Sequence, residues 1–393
     1  MKQYDPPDLD RLGGGGGGGG GGPAPPQKYK HIIIGIDGTW QAAFRDPFQS
    51  NVHRMNVALN HEDLTAGRNP QLFIYSAGVG TANRSSAKVA GATGEGLSAI
   101  VLESYINLVA NYKPGDRIYI FGFSRGAFAA RVLTGFITYS GLLTANSLAV
   151  IEDAWRYFTD RDPRLNYPDI RSQHTHKNVK VEFLGIWDTV AGPYKKEKIL
   201  SRYRFNNLKL DKIVKQGVHI LSIDESRNDF APTYFDGCRE DQMLEQLWMP
   251  GVHSDIGGGY SKSFLSTLSL LTMIDKLRER CPDLSLDERY IADTLVGIIE
   301  TEGVTVNNER VGAWRFIGGN LTRSIADSTH HKQHPVVGLM RDSEVFYKKA
   351  MKPYAPRFGK PELLNVGFAE NSFHRRQIFP LLERKFRKRL DAQ

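Results

Sequence analysis

Residues 116–133 read Asp-Arg-Ile-Tyr-Ile-Phe-Gly-Phe-Ser-Arg-Gly-Ala-Phe-Ala-Ala-Arg-Val-Leu, and this stretch decides the fold of the chain. Residues 117–121 form a short β-branched and aromatic run, which predicts a buried strand. Residues 127–133 are rich in helix formers, which predicts a helix beginning just after Gly126. The segment between them, Gly122-Phe-Ser-Arg-Gly126, therefore lies on a strand-to-helix turn that exposes the serine hydroxyl. This context predicts Ser124 as a nucleophile, and a plain tight turn is the competing interpretation.

Strands and helices alternate along the rest of the chain. Apolar runs predict strands at residues 31–36, 71–75, 179–187, 219–223 and 244–249, and helices at residues 51–59, 97–112, 149–158, 264–280 and 286–302. Two stretches give no clear element: residues 160–177 form a polar excursion and residues 314–335 are mixed. The alternation predicts an α/β fold with a mostly parallel central sheet and helices on both faces.

The N-terminal segment differs in composition from the rest. Residues 1–30 contain a glycine run at 13–22 followed by Pro-Ala-Pro-Pro, so they cannot bury enough apolar surface to fold. We therefore predict a disordered Gly/Pro-rich tail at 1–30 and one catalytic domain at 31–393 with a helical C-terminal part.

The bulk composition excludes several classes of protein. No apolar stretch reaches the length of a membrane span, and the N-terminus lacks the apolar core of a signal peptide. Cys238 and Cys281 are too few for a disulfide framework, which fits a reducing compartment, so we predict a cytoplasmic location. The net charge of +8 is compatible with anionic partners. No basic patch is interleaved with stacking aromatic residues, so no nucleic-acid partner is expected.

Several polar residues follow predicted strands, where ligands bind in parallel sheets. An α/β hydrolase presents its triad in the chain order serine, acid, histidine. Here the order is Ser124, then Asp188 or Asp224, then His253. Of the 11 histidines, His253 alone follows a strand inside a glycine-dense loop, which makes it the candidate base. Position alone allows either aspartate as the acid, and either one can instead be a solvated strand end or a helix cap.

Five motifs together resemble the α/β-hydrolase family of largely unknown function that includes the type VI secretion phospholipase effectors. The motifs lie at residues 36–39 (Ile-Asp-Gly-Thr), 78–81 (Gly-Val-Gly-Thr), 122–127 (Gly-Phe-Ser-Arg-Gly-Ala), 183–190 (Phe-Leu-Gly-Ile-Trp-Asp-Thr-Val) and 248–260 (Trp-Met-Pro-Gly-Val-His-Ser-Asp-Ile-Gly-Gly-Gly-Tyr). The resemblance implies an α/β-hydrolase fold, Asp188 as the acid and His253 as the base. It also implies hydrolysis of phospholipid acyl esters without a cofactor, and suggests delivery by a dedicated secretion system.

The oxyanion hole of such an enzyme uses the N–H group of the residue after the nucleophile, which is Arg125, and one N–H group from another loop. Gly38 or Thr39 is the candidate for the second donor, because their loop leaves a neighbouring strand.

Other functions fit the sequence less well. Gly35-Ile-Asp-Gly-Thr39 resembles the aspartate-nucleophile phosphatase motif D-x-D-G-T, but glycine stands at the nucleophile position. A catalytically silent hydrolase fold that serves as a binding protein, and an esterase with a non-lipid substrate, are the alternatives we retain. The histidines at 174, 176, 330, 331 and 334 are interpreted as exposed loop residues and not as metal ligands, since no carboxylate or cysteine pattern accompanies them.

The C-terminus is basic, with arginine or lysine at 384, 385, 387, 388 and 389. A solvated surface helix is one interpretation. The other is peripheral contact with an anionic membrane through Leu382 and Phe386, which would support a lipid substrate. Pro380 confines any helix to the last few turns.

Overall fold

The structure is a computed structural model, and it describes residues 29–39, 41, 48–61, 68–78, 94–160, 167–192, 201–203, 208–308, 321–324, 329–341, 343–347, 350–356 and 363–387. The predicted tail at 1–30 lies outside these residues except for its last two positions.

The described strands divide into a large sheet and a small one. They are β1 (His31–Ile36), β2 (Gln71–Ser76), β3 (Arg117–Phe123), β4 (Val181–Trp187), β5 (Gln216–Ser222), β6 (Met243–Met249), β7 (Thr305–Val306), β8 (His331–Gln333), β9 (Glu344–Tyr347) and β10 (Ala350–Pro353). The large sheet has the order β2-β1-β3-β4-β5-β6-β8, and every neighbouring pair is parallel. The small sheet has the order β10-β9-β7.

Helices cover both faces of the large sheet. The described α-helices are α1 (Asn51–Ala58), α2 (Gly94–Asn111), α3 (Arg125–Ser140), α4 (Ile151–Thr159), α5 (Tyr167–His174), α6 (His253–Gly257), α7 (Phe264–Arg280), α8 (Gly297–Thr301), α9 (Val336–Arg341) and α10 (Phe379–Arg387). Because side chains alternate along a strand, Ile33 of β1 packs in one core with α1 and α7, whereas Ile32 and Ile34 pack in a second core with α2 and α3. The predicted α/β architecture, with a parallel sheet between two helical layers, is confirmed.

Two predicted stretches differ in the structure. Residues 167–174, predicted as part of a polar excursion, form α5, because the buried Tyr167 anchors it by stacking on Tyr157 and donating to the Ser140 carbonyl. The helix predicted from residue 286 begins later, since Leu286 forms a β-bridge with Leu59. A π-helical segment, Tyr290–Val296, then leads into α8.

The mixed stretch before residue 335 contains β8, an edge strand of the large sheet, and its histidines are not exposed. His331 accepts a hydrogen bond from the Trp248 indole, and His334 is fully buried. The interpretation of these two histidines as exposed loop residues is therefore wrong. In the described part of the chain, no group of three or more His, Cys, Asp or Glu side chains is arranged to hold a metal ion.

The C-terminal helix α10 packs on the main core. A π-helical segment, His374–Ile378, precedes it, and Ile378, Leu382 and Phe386 are buried. The core therefore covers Leu382 and Phe386, and these two side chains do not face a membrane. Peripheral contact through the basic residues of the C-terminus stays a prediction. Arg384 is exposed, and residues 388–393 lie outside the described residues. None of the described helices combines the length and apolar character needed to cross a membrane.

Candidate active site

Ser124 occupies a strained turn between β3 and α3. Its backbone has φ 58° and ψ −122°, and non-glycine residues rarely adopt such a positive φ. The two flanking glycines are required by close packing. A Cβ atom on Gly122 would lie 2.6 Å from the Gly126 carbonyl oxygen, and one on Gly126 would lie 2.2 Å from the Ile36 carbonyl oxygen. The turn therefore depends on both glycines, as the sequence pattern predicts.

His253 lies beside this serine. Its Nε2 atom is 2.7 Å from Ser124 Oγ. The imidazole is held between two aromatic rings, Phe123 at 4.7 Å and Phe230 at 4.9 Å between ring centroids. The sequence suggests a glycine-dense loop around His253, but the structure shows it as the first residue of the short helix α6. This placement fixes the imidazole against Ser124.

Asp188 lies on the other side of the imidazole. Its Oδ2 atom is 2.5 Å from His253 Nδ1, and its side chain is completely buried. Asp188 follows β4 and has a φ of 41°, which turns its side chain toward β5. There it accepts hydrogen bonds from the backbone N–H and the hydroxyl of Ser222. The structure thus connects Ser124, His253 and Asp188 in one continuous chain of contacts.

Arg323 also contacts the Asp188 carboxylate. Its Nη1 atom lies 2.5 Å from Asp188 Oδ1 and its Nη2 atom lies 3.0 Å from Oδ2, which is a bidentate pair. Burial alone would raise the pKa of Asp188, but the Arg323 guanidinium and the His253 ring together hold that pKa well below its ordinary value. The carboxylate is therefore ionised at neutral pH.

Asp224, the alternative acid, has other partners. Its Oδ2 atom accepts hydrogen bonds from the Gly251 N–H group at 2.7 Å and from the Tyr354 hydroxyl at 2.8 Å. Gly251 lies two residues before His253, so Asp224 braces the turn that carries the histidine. The geometry places Asp188, and not Asp224, on the His253 imidazole.

Glu225 also supports the turn that carries His253. It accepts a hydrogen bond from the His253 backbone N–H at 3.3 Å and forms a buried ion pair with Arg227. Burial would raise the pKa of Glu225, but Arg227 more than offsets this and lowers it. The Arg227 guanidinium in turn lies 3.6 Å from the centre of the Phe230 ring, which contacts His253. His253 is thus held by its backbone and by its ring.

The loop after β1 lies directly against the serine. A Cβ atom on Gly38 would be 3.5 Å from Ser124 Cβ. The Gly38 N–H group donates to Asp37 Oδ1 at 2.7 Å, so it is already engaged. The Thr39 hydroxyl oxygen is buried and has no hydrogen-bond partner among the described residues. Arg125 is the first residue of α3, where a helix does not use the N–H group internally.

Asp37 fixes this loop in place. Besides the Gly38 N–H group, its carboxylate accepts hydrogen bonds from the Ser50 hydroxyl at 2.6 Å and the Tyr75 hydroxyl at 2.7 Å. Ser50 caps α1 and forms a β-bridge with Gly258, which follows the helix of His253. One buried carboxylate therefore ties the loop beside Ser124 to α1 and β2.

Comparison with known proteins identifies the family. Residues 30–276 match the family described as T6SS, phospholipase effector Tle1-like, catalytic domain. The chain belongs to this family. Membership confirms the resemblance drawn from the motifs, and it supports lipid-ester hydrolysis at the level of the family.

Individual relatives of this Tle1-like chain are distant. An uncharacterized protein of Saccharomyces cerevisiae, YEL023C, is 29% identical over 231 residues, covering 52% of this chain and 33% of the yeast protein. A crystal structure of an uncharacterized protein from Pseudomonas aeruginosa aligns with a TM-score of 0.39 at 21% identity, covering 66% of this chain and 47% of that one. The structure of the Tle1 effector bound to the VgrG spike of the type 6 secretion system aligns with a TM-score of 0.37 at 19% identity, covering 60% and 52%. The chain thus spans a third of the yeast relative and about half of each solved chain.

Two residues of the site carry no recognisable signal in the sequence. Arg323 lies beyond the matched Tle1-like region and belongs to no motif, so no local signal identifies it. Glu225 follows Asp224 directly, and its role depends on a backbone contact that a pattern of side chains does not show.

Proposed function

We propose that this protein is a serine hydrolase that cleaves acyl esters of lipids, phospholipids in particular, through an acyl-enzyme on Ser124. One observation carries the proposal: the continuous contact from Ser124 Oγ through His253 to Asp188, at 2.7 Å and 2.5 Å, at the carboxyl ends of parallel strands. A hydroxyl, an imidazole and a buried carboxylate in this order perform nucleophilic acyl transfer in serine hydrolases.

The residues divide the reaction among them. His253 takes the proton of Ser124 as its oxygen attacks the ester carbonyl, and it then gives that proton to the leaving alcohol. Asp188 holds the imidazole with Nδ1 protonated and stabilises the imidazolium that forms. Water, activated by the same histidine, releases the fatty acid and regenerates the serine.

The oxyanion is held by the Arg125 N–H group and by Thr39. The Gly38 N–H group donates to Asp37, which leaves Thr39 as the second donor of the two candidates in this loop. Its hydroxyl, which has no hydrogen-bond partner among the described residues, is a further donor. Thr39→Val should therefore lower kcat, while a fluorophosphonate should still label Ser124.

Family membership supports the lipid substrate. The alternatives remain an esterase of non-lipid substrates and a silent binding protein. Loss of one triad member would favour the silent protein, but all three side chains are present and in contact. Delivery by a secretion system and a cytoplasmic location stay predictions.

A fluorophosphonate probe tests the nucleophile. The wild-type protein should be labelled at Ser124, and Ser124→Ala should lose both the label and about three orders of magnitude or more of kcat. Full labelling of Ser124→Ala would show that another residue is the nucleophile.

A comparison of phospholipid vesicles with soluble short-chain esters then tests the substrate class. If the protein hydrolyses the soluble esters but no phospholipid, it is a serine hydrolase whose assignment to lipid substrates is wrong.

A further inference from the structure

Arg323 makes an unusual set of contacts for a residue beside a catalytic carboxylate. Its side chain is fully buried, and its two terminal nitrogens contact both oxygens of Asp188. The same nitrogens donate to the Ser222 carbonyl at 2.9 Å and the Phe230 carbonyl at 2.8 Å. The guanidinium is therefore locked in position by four acceptors drawn from three segments of the chain.

We propose that Arg323 is a positioning residue of the Ser124–His253–Asp188 site: it sets the plane of the Asp188 carboxylate and supplies the positive charge that keeps this carboxylate ionised before His253 receives a proton. The inference rests on the proposed function, because it gives Arg323 its role through the acid of that triad.

The burial of Asp188 explains the value of this charge. In the resting enzyme the base must be neutral, so the imidazole offers Asp188 a hydrogen bond but no positive charge. Burial without a counter-charge raises the pKa of a carboxylate and so favours its protonated form. Protonated Asp188 could no longer accept the Nδ1–H of His253 in the same way, and the imidazole would lose the orientation it needs. Arg323 prevents this.

The neighbouring titratable groups do not replace Arg323. His219 of β5 donates no charge, since burial lowers its pKa to about 3. Burial likewise raises the pKa of Tyr234, which stays neutral. Glu225 is negative and is paired with Arg227. Among the described residues that face Asp188, Arg323 and, after proton transfer, His253 carry the positive charge.

The bidentate geometry adds orientation to charge. Two parallel hydrogen bonds from a planar guanidinium fix the plane of a carboxylate, which a single lysine nitrogen does not do. Here they direct Oδ2 at His253 Nδ1 while Oδ1 is held by Arg323 and the Ser222 N–H group. Arg323→Lys should therefore keep the charge and lose part of the orientation.

Four variants test the inference: Arg323→Met, Arg323→Lys, Asp188→Asn and the double variant Asp188→Asn/Arg323→Met. Hydrolysis of a soluble ester and inactivation by a fluorophosphonate are measured per folded molecule across pH 5–9. Arg323→Met should lower kcat by about 10–100-fold with a small change in KM, as expected for a group that orients a site residue. The acidic limb of its pH profile should move to higher pH, because Asp188 then takes up a proton more readily. Arg323→Lys should recover part of the loss.

The double variant removes both charges together, so it supplies the test even if Arg323→Met does not fold. If Arg323 acts through Asp188, the double variant should be no less active than Asp188→Asn alone.

Arg131→Met is the matched control. Arg131 is also a buried arginine, but it donates to the carbonyls of Thr233 and Tyr234. Its loss should lower stability and leave kcat per folded molecule and the pH profile unchanged.

Three results would overturn the inference, and they are distinguishable. If wild-type activity depends on Ser124 but Arg323→Met leaves kcat and the pH profile unchanged, only the role of Arg323 is removed. The same follows if Arg323→Met causes an equal loss of activity in the wild-type and Asp188→Asn backgrounds. Full labelling of Ser124→Ala removes the proposed function and this inference together.

Discussion

Replacing Asp188 by asparagine should impair catalysis and stability together. For catalysis, asparagine keeps the shape but presents the wrong hydrogen-bonding partner to the imidazole. In a serine protease triad this change costs about four orders of magnitude in kcat, and we expect a loss of several orders here.

For stability, the change leaves Arg323 buried without its counter-charge. Removing one partner of a buried ion pair costs about 3–5 kcal/mol, and the lower end applies here because the guanidinium keeps two carbonyl acceptors. Asp188→Asn should therefore unfold at a clearly lower denaturant concentration than the parent, and adding Arg323→Met should restore part of the difference.

Asp224→Asn is the matched control, since Asp224 follows the neighbouring strand and is also buried. Its oxygen accepts from the Gly251 N–H group and the Tyr354 hydroxyl, and asparagine keeps one such oxygen. We expect a cost of about 1–3 kcal/mol and a kcat within about tenfold of the parent. The assays are urea unfolding and ester hydrolysis on the same preparations. An inactive Asp224→Asn beside an active Asp188→Asn would refute the assignment of the acid.

Two further predictions concern the fold. Leu382→Ala should lower the free energy of unfolding by about 2–5 kcal/mol, because Leu382 is fully buried. Arg384→Ala on the exposed side of α10 should change it by less than about 0.5 kcal/mol. Equal effects of the two variants in urea unfolding would contradict the packing of this helix. Burial raises the pKa of Asp255 to about 7, so the folded protein keeps a proton that the unfolded chain releases from about pH 4 upward. The contribution of Asp255 to the free energy of unfolding therefore falls as pH rises from about 4 to 7, and Asp255→Asn should remove it. A difference between wild type and Asp255→Asn that does not change over this pH range would count against the raised pKa.

The strands of the large sheet were predictable where they are buried on both faces. Four of the six residues of β1 are isoleucine, and such an apolar run can be recognised in a single sequence. β8, with the sequence His-Lys-Gln, has no apolar signal, and it is a strand because it pairs with the edge of β6. The length of α5 likewise depends on one buried aromatic residue, Tyr167, which is too little for a periodic pattern.

The residues of the candidate site divide in the same way. Ser124 and His253 stand out because glycines at fixed offsets surround them. Asp188 and Asp224 look alike in the sequence, since each follows a buried strand. The contact of Asp188 with the imidazole appears only in the folded chain. Arg323 lies 135 residues from its partner Asp188 in the sequence, so its contact exists only in the folded chain.

Gly126 gives the last prediction, because it couples the nucleophile turn to the loop beside it. A Cβ atom at this position would lie 2.2 Å from the Ile36 carbonyl oxygen and 2.3 Å from that of Asp37. Both obstacles are backbone atoms, so Gly126→Ala requires the end of β1 to move by about 1 Å, and a displacement of that size can cost about 100-fold in rate. The loop that moves carries Asp37, Gly38 and Thr39, so kcat should fall by about this factor. Gly135→Ala in the same helix is the control: its Cβ would meet the Phe158 ring at 3.5 Å, an ordinary contact, and should raise stability by up to about 1 kcal/mol with kcat unchanged. A Gly126→Ala protein with the parent's kcat would show that the loop and the serine turn are not coupled.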